Sequence, residues 1–245
     1  MGRLVAVGIG VSLIVGCADD EPVSATVKAS PSVGSDSEAS WQTQIAAARN
    51  GRSDSIRVTL SNVTSQEFRE LGDGCDGLTT LVIERGSIAN ADLTALSRLP
   101  KLRWLKLPVT VDDAGVELIA ACRQIQILNL PNAKFSDRAC LRLADLDRLT
   151  LLRFGSPNVT DRGLESLAKL PRLRFLHLLE VSITDSGLGH IGSIETLESF
   201  YLDGGRTTDD GLSRLLTRRP DLHFHLNETH LPGDPNAHHE ESSAP

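Results

Sequence analysis

The sequence predicts an α/β solenoid of about seven repeated units, each a short strand, a loop and a helix. Two observations carry this expectation. A leucine-rich pattern restarts at Leu78, Leu102, Ile125, Leu149, Leu173 and Leu197, so it returns every 23 or 24 residues. Within one unit, Leu149 to Pro171, the apolar residues first alternate as in a strand (Leu152, Phe154) and then fall at helical spacing (Leu164, Leu167, Leu170). Neither half of such a unit buries its apolar side alone, so each needs neighbours stacked on both sides. The composition agrees: of 245 residues 40% are hydrophobic but only 4% aromatic, which calls for an aliphatic core.

Taken in order, the chain opens on Arg3 and an apolar stretch from Leu4 to Gly16, the size of a signal-peptide core and too short for a comfortable membrane span. It closes with Ile14-Val15-Gly16-Cys17, which resembles the lipobox of bacterial lipoproteins. The resemblance implies that residues 1–16 are removed and that Cys17 carries lipid. The protein is then anchored to a cell membrane and faces the periplasm or the cell exterior. Residues 18–40 are rich in Ser, Ala, Pro and acidic residues without a period, and read as a disordered tether. Residues 41–52 read as an N-terminal capping helix: Ser40 can cap it, Gly51 can end it, and Trp41 and Ile45 share one face. Residues 53–231 form the repeat domain, and residues 232–245 read as a disordered tail. The net charge of −7 gathers in the two flanks, so nothing in the chain asks for nucleic acid.

The first unit begins at Ser53. The inward strand pairs are Ile56/Val58, Leu81/Ile83, Leu105/Leu107, Leu128/Leu130, Leu152/Phe154, Leu176/Leu178 and Phe200/Leu202. After each strand an apolar loop residue recurs (Val63, Ile88, Val111, Phe135, Val159, Ile183), with Thr207 in its place in the last unit. Helix positions repeat as Phe68/Leu71, Leu93/Leu96, Val116/Ile119, Cys140/Leu143, Leu164/Leu167, Leu188/Ile191 and Leu212/Leu215. Thr64, Asp112, Ser136, Thr160, Thr184 and Thr208 stand where an N-cap is needed, and Thr64 with Glu67 spells a capping box. Gly115, Gly163, Gly187 and Gly211 follow three residues after a cap and leave room for a close neighbour. If the 24-residue register continues from Leu197, the reading we prefer, Phe224 and Leu226 point inward and close the core; a register starting at Leu222 would turn them outward.

The pattern L-x-x-L-x-L followed by (V/I)-T-D-x-G-L-x-x-L-x-x-L resembles leucine-rich repeats, most closely the ribonuclease-inhibitor-like and cysteine-containing types. The clearest copies are LTLLRFGSPNVTDRGLESLAKL and LRFLHLLEVSITDSGLGHI. The resemblance implies a leucine-rich-repeat solenoid with a parallel sheet on its concave face and a true helix from each unit on its convex face. It also implies a protein that binds other proteins.

No catalytic constellation stands out, and the protein reads as a non-enzyme without a cofactor. Ser166-Leu167-Ala168-Lys169 matches the S-x-x-K word of penicillin-interacting enzymes, yet Leu167 is a repeat leucine and no K-T-G follows. Cys75, Cys122 and Cys140 occupy apolar template positions, and their odd number argues against a disulfide framework. Histidines gather late in the chain (His223, His225, His230, His238 and His239). His223 and His225 share a strand face without an obvious third ligand, so no metal site is expected.

The outward strand positions carry the information, because the repeat dictates the inward ones. They form three columns. The first reads Ser55, Thr80, Trp104, Ile127, Leu151, Phe175, Ser199; four successive units thus present an apolar ridge roughly 15 Å long. The second reads Arg57, Val82, Lys106, Asn129, Arg153, His177, Tyr201, and its middle is cationic. The third reads Thr59, Glu84, Pro108, Pro131, Gly155, Leu179, Asp203. Trp104, Ile127, Leu151 and Phe175, flanked by Lys106, Asn129, Arg153 and His177, make a candidate patch for a protein or peptide with apolar side chains and some negative charge. Two alternatives stand beside this reading: a structural envelope component with no discrete ligand, and an adaptor related to F-box leucine-rich-repeat proteins. The second lacks an F-box segment and is at odds with Cys17 lipidation.

Overall fold

The computed structural model describes residues 39–227, together with the backbone of Thr229 and His230. The signal segment, Cys17, most of the tether, and the tail with His238 and His239 lie outside the described residues.

The first element of the described residues is helix α1 (Trp41–Arg49), whose N-terminus is capped by the Ser40 side chain accepting from the Thr43 N–H. Strand β1 (Ser55–Val58) follows. Strands β3 (Thr80–Ile83), β5 (Trp104–Lys106), β6 (Ile127–Leu130), β7 (Leu151–Gly155), β8 (Phe175–Leu179), β9 (Ser199–Asp203) and β10 (His223–Leu226) add to it one after another, all parallel. Each inward strand residue named above is buried except the half-buried Leu226, and the loop and helix apolar positions from Val63 to Leu215 are buried apart from the half-buried Thr207. Phe135 packs on Phe154, and Phe200 stacks on Phe224 with ring centroids 5.2 Å apart. The result is a leucine-rich-repeat solenoid: one parallel sheet, helical segments along one side of it, and a single aliphatic layer between them.

The helical segments follow their capping residues. Helices α2 (Ser65–Arg69), α3 (Asp113–Ala120), α4 (Asp137–Leu143), α5 (Asp161–Leu167), α6 (Asp185–Ile191) and α7 (Asp209–Arg218) start after Thr64, Asp112, Ser136, Thr160, Thr184 and Thr208, each of which accepts a backbone N–H of the first turn. The second unit departs from the expectation of a true helix per unit. Asn90–Arg98 is a 3-10 helix, and its first residue follows Ala89, which has no side chain to cap the orphan N–H groups. The first unit also ends in a 3-10 turn, Glu70–Gly72. Two short strands, β2 (Val63–Thr64) and β4 (Gly86–Ser87), pair beside these irregular segments. The strand periodicity gave no sign of them.

The glycines after the caps serve a contact that the sequence left unnamed. In α3, α4, α5 and α6 the residue after the cap is an aspartate, and it reaches the cap of the next unit. Asp137 accepts from both the N–H and the hydroxyl of Thr160 at 2.7 Å, and Asp161 does the same to Thr184 at 2.8 and 2.6 Å. Asp113 and Asp185 bond Ser136 and Thr208 in the same way. A Cβ at Gly187 would lie 2.5 Å from the Asp161 oxygen, so glycine makes space for the bridging carboxylate.

Both sheet edges are covered. At one, the Gln44 amide of α1 pairs with β1 as a strand would, accepting from Arg57 N–H and donating to Arg57 C=O, both at 2.7 Å. At the other, strand β11 (Thr229–His230) runs antiparallel to β10 with His230 in register with His225. This closing hairpin was not foreseen from the sequence.

Candidate binding face

The register of the sheet brings the outward columns together. Trp104 pairs with Ile127, Ile127 with Leu151, Leu151 with Phe175, and Phe175 with Ser199. The four large apolar residues are each half-buried, so the ridge is partly screened by its own neighbours. Its two ends carry guanidinium groups. Arg57 lies over the Trp104 ring with its Cζ 4.1 Å from the centroid, reaching across from β1. Arg174 lies 5.2 Å from the Phe175 centroid and is held by a two-pronged pair with Glu198, each contact 2.6 Å. Sequence spacing did not reveal either contact, because each depends on how far an arginine side chain reaches across the sheet.

The second column differs from a row of free cations. Lys106 pairs with Glu84 of the third column at 2.7 Å. Asn129 is buried, and its carbonyl oxygen accepts from Arg153 at 3.4 Å. Arg153 Nε also donates to His177 Nδ1 at 3.1 Å, and His177 Nε2 stands 2.7 Å from Asp203 Oδ2. These contacts fix the tautomer. Nδ1 accepts from a guanidinium and therefore bears no proton, so Nε2 carries the proton and donates it to the carboxylate. The middle of the column is a chain running Asn129, Arg153 and His177 to Asp203 of the third column, with Glu84 set against Lys106 and Asp203 against His177. The sequence placed Lys106, Arg153 and His177 correctly in one row but missed that Glu84 and Asp203 compensate them.

Beyond His177 the same column becomes aromatic. Tyr201 lies 5.2 Å from His177 and stacks on His225 at 4.2 Å with ring planes 11° apart. His225 Nε2 meets His223 Nε2 at 2.7 Å. Ser199, the register partner of His223, is buried, and its hydroxyl has no hydrogen-bond partner among the described residues.

An open groove lies past the C-terminal ends of the strands, lined by Pro131, Asn132, Gly155, Leu179, Glu180, Asp203 and Asn227. Glu180 and Asn227 turn the chain there with φ of 53° and 49°. Gly155 is required because a Cβ would collide with the Pro131 carbonyl. Among the described residues, no group of three or more His, Cys, Asp or Glu side chains comes together around a point. Cys75, Cys122 and Cys140 are buried free thiols. Burial pushes the Cys122 thiol up to about 11 and raises the other two as well, so none is poised as a nucleophile. Ser166 and Lys169 flank buried Leu167 at the end of α5, among the helices that cover the other side of the sheet.

Fold and face together define a leucine-rich-repeat solenoid with an apolar ridge and a hydrogen-bonded polar column on its helix-free face. No protein-family model and no curated protein matches the chain. Among solved structures it is similar to a leucine-rich-repeat protein of Leptospira interrogans, at 16% identity and a TM-score of 0.46; the match covers 65% of this chain and 38% of that one. The chain therefore spans well under half the length of that protein.

Proposed function

We propose that the protein is a non-catalytic, lipid-anchored solenoid that binds a protein or peptide partner across its helix-free, concave face. The observation that carries this reading is the ridge. Trp104, Ile127, Leu151 and Phe175 occupy one register column on four adjacent strands. The core does not require them, since the inward residues of the same strands are already buried. A large apolar residue in each of four successive units, at a position the repeat leaves free, supports selection for contact.

The partly compensated second column refines the ligand. Lys106 and Arg153 face Glu84 and the His177–Asp203 pair, so the partner gains little from net negative charge. Apolar or aromatic side chains along the ridge, with neutral hydrogen-bonding groups over Asn129, fit better. Cys17 supplies the membrane anchor, and the helix-bearing units belong with the ribonuclease-inhibitor-like and cysteine-containing repeat types.

Crosslinking pull-down from membranes tests the face, comparing the wild type with Trp104→Ala/Phe175→Ala. Loss of a discrete crosslinked band in the variant is the expected result. An unchanged set of crosslinked proteins removes the ridge as the binding site. Palmitate labelling of the wild type and of Cys17→Ser tests the anchor separately.

A further inference from the structure

We propose that His223 and His225 form a chelating site for a divalent transition metal, with Ser199 supporting a metal-bound water. Both histidines lie on β10 two residues apart, so their side chains leave the same face of the strand. Their Nε2 atoms face each other at 2.7 Å. Two imidazole nitrogens on a tetrahedral zinc, each bonded at roughly 2.0–2.1 Å, stand about 3.3 Å apart. To admit the ion the two rings need to separate by about 0.6 Å and to turn so that both Nε2 lone pairs converge on it. The imidazole that now donates its Nε2 proton takes up the other tautomer, with its proton on Nδ1, and both Nε2 lone pairs become ligands.

The surroundings fix the pair. His225 is 3% exposed and stacked on Tyr201, which holds its ring in place, while His223 is half-buried and leaves a route for the ion. Ser199 provides an independent sign. It is the register partner of His223, only 5% exposed, and its hydroxyl has no partner among the described residues. A buried hydroxyl without a partner is unfavourable, and a water on the metal satisfies it. Imidazole ligands with open positions favour zinc, copper or nickel over magnesium or calcium. The closing hairpin sets His230 in Cα register with His225.

The test uses the full chain stripped of metal, with Zn2+ or Ni2+ alone as the probe. Calorimetry should show one ion bound per chain, and thermal unfolding should shift upward with the ion. His223→Ala should weaken binding by more than about tenfold and remove the thermal shift. His223→Gln, which keeps the size of the side chain, serves the same purpose if the alanine variant folds poorly. Binding that persists in both His223 variants overturns the proposal. Binding that vanishes in His238→Ala/His239→Ala or in Cys17→Ser while His223 is intact also overturns it, as does the absence of binding to the wild type.

Discussion

Replacing Gly187 by alanine tests the carboxylate ladder that links one unit to the next. Gly187 lies in the first turn of α6, where helix propensity alone favours alanine by up to about 1 kcal/mol. The structure opposes that gain. A Cβ would stand 2.5 Å from Asp161 Oδ1, and 3.1 Å from both Ile183 Cβ and Leu164 Cδ1. Asp161 has to withdraw, and it then loses the Thr184 N–H at 2.8 Å and the Thr184 hydroxyl at 2.6 Å. Hydrogen bonds to a carboxylate contribute about 1.5–3 kcal/mol each when protected; at this partly exposed position about 2 kcal/mol for the pair is reasonable. Gly187→Ala should therefore destabilise by about 1 kcal/mol, a fall in Tm of roughly 2–4 °C for a domain of this size. In an Asp161→Ala background the close oxygen is gone, and Gly187→Ala should become neutral or stabilising by up to about 1 kcal/mol. Urea and thermal unfolding of the four proteins, followed by far-UV circular dichroism, measure both effects. The same change in stability in both backgrounds refutes the carboxylate as the reason for glycine.

Other consequences follow from single contacts. Arg219 is 9% exposed and donates to the carbonyl oxygens of Ile194 and Leu197, each at 2.5 Å, so Arg219→Ala should cost about 2–4 kcal/mol in an unfolding titration, and Arg219→Lys should recover little of it because a lysine cannot span both carbonyls. Leu152→Ala, at a fully buried strand position of a central unit, should cost about 2–5 kcal/mol by the same assay. Asp92 is held below the ordinary carboxylate value, first by the Ser65 hydroxyl and then by Arg69, and Asp221 likewise by Arg219. Both carboxyls titrate lower folded than unfolded, so their stabilisation is present at neutral pH and is lost as pH falls below about 4 and through their folded values; Asp92→Asn should flatten the acid limb of a stability–pH profile. Alkylation of the native protein near pH 8, read by peptide mapping, should leave Cys75, Cys122 and Cys140 unlabelled, and all three should label after denaturation.

The sequence by itself determined the architecture, because the repeat states the same solution many times. Inward pairs such as Leu152/Phe154 and helix pairs such as Leu164/Leu167 must face one another for either to leave water, and only a stacked solenoid permits that in every unit. The capping residues were legible for the same reason: an orphan N–H needs an oxygen at a fixed offset, so Thr184 marks the start of α6 wherever the chain goes. The second unit has no capping side chain at Ala89, and its helical segment is 3-10 rather than α, a departure not anticipated from the sequence. The outward columns followed from the alternation of a strand.

Tertiary structure decided what the long polar side chains do. Arg57 reaches from β1 to Trp104 on β5, and Asp203 reaches His177 from the next strand. Both contacts depend on rotamers and on strand twist, which a period of two does not encode. The same holds for Asp161 and Thr184, which lie 23 residues apart and meet only when the helices stack. At the end of the sheet, spacing showed His223 and His225 on one face, while their 2.7 Å approach, the stacked Tyr201, the buried Ser199 hydroxyl and the hairpin that brings His230 alongside required the folded chain. Short-range order is written in residue type and spacing, whereas contacts between side chains distant in sequence depend on the packing that the short-range order creates.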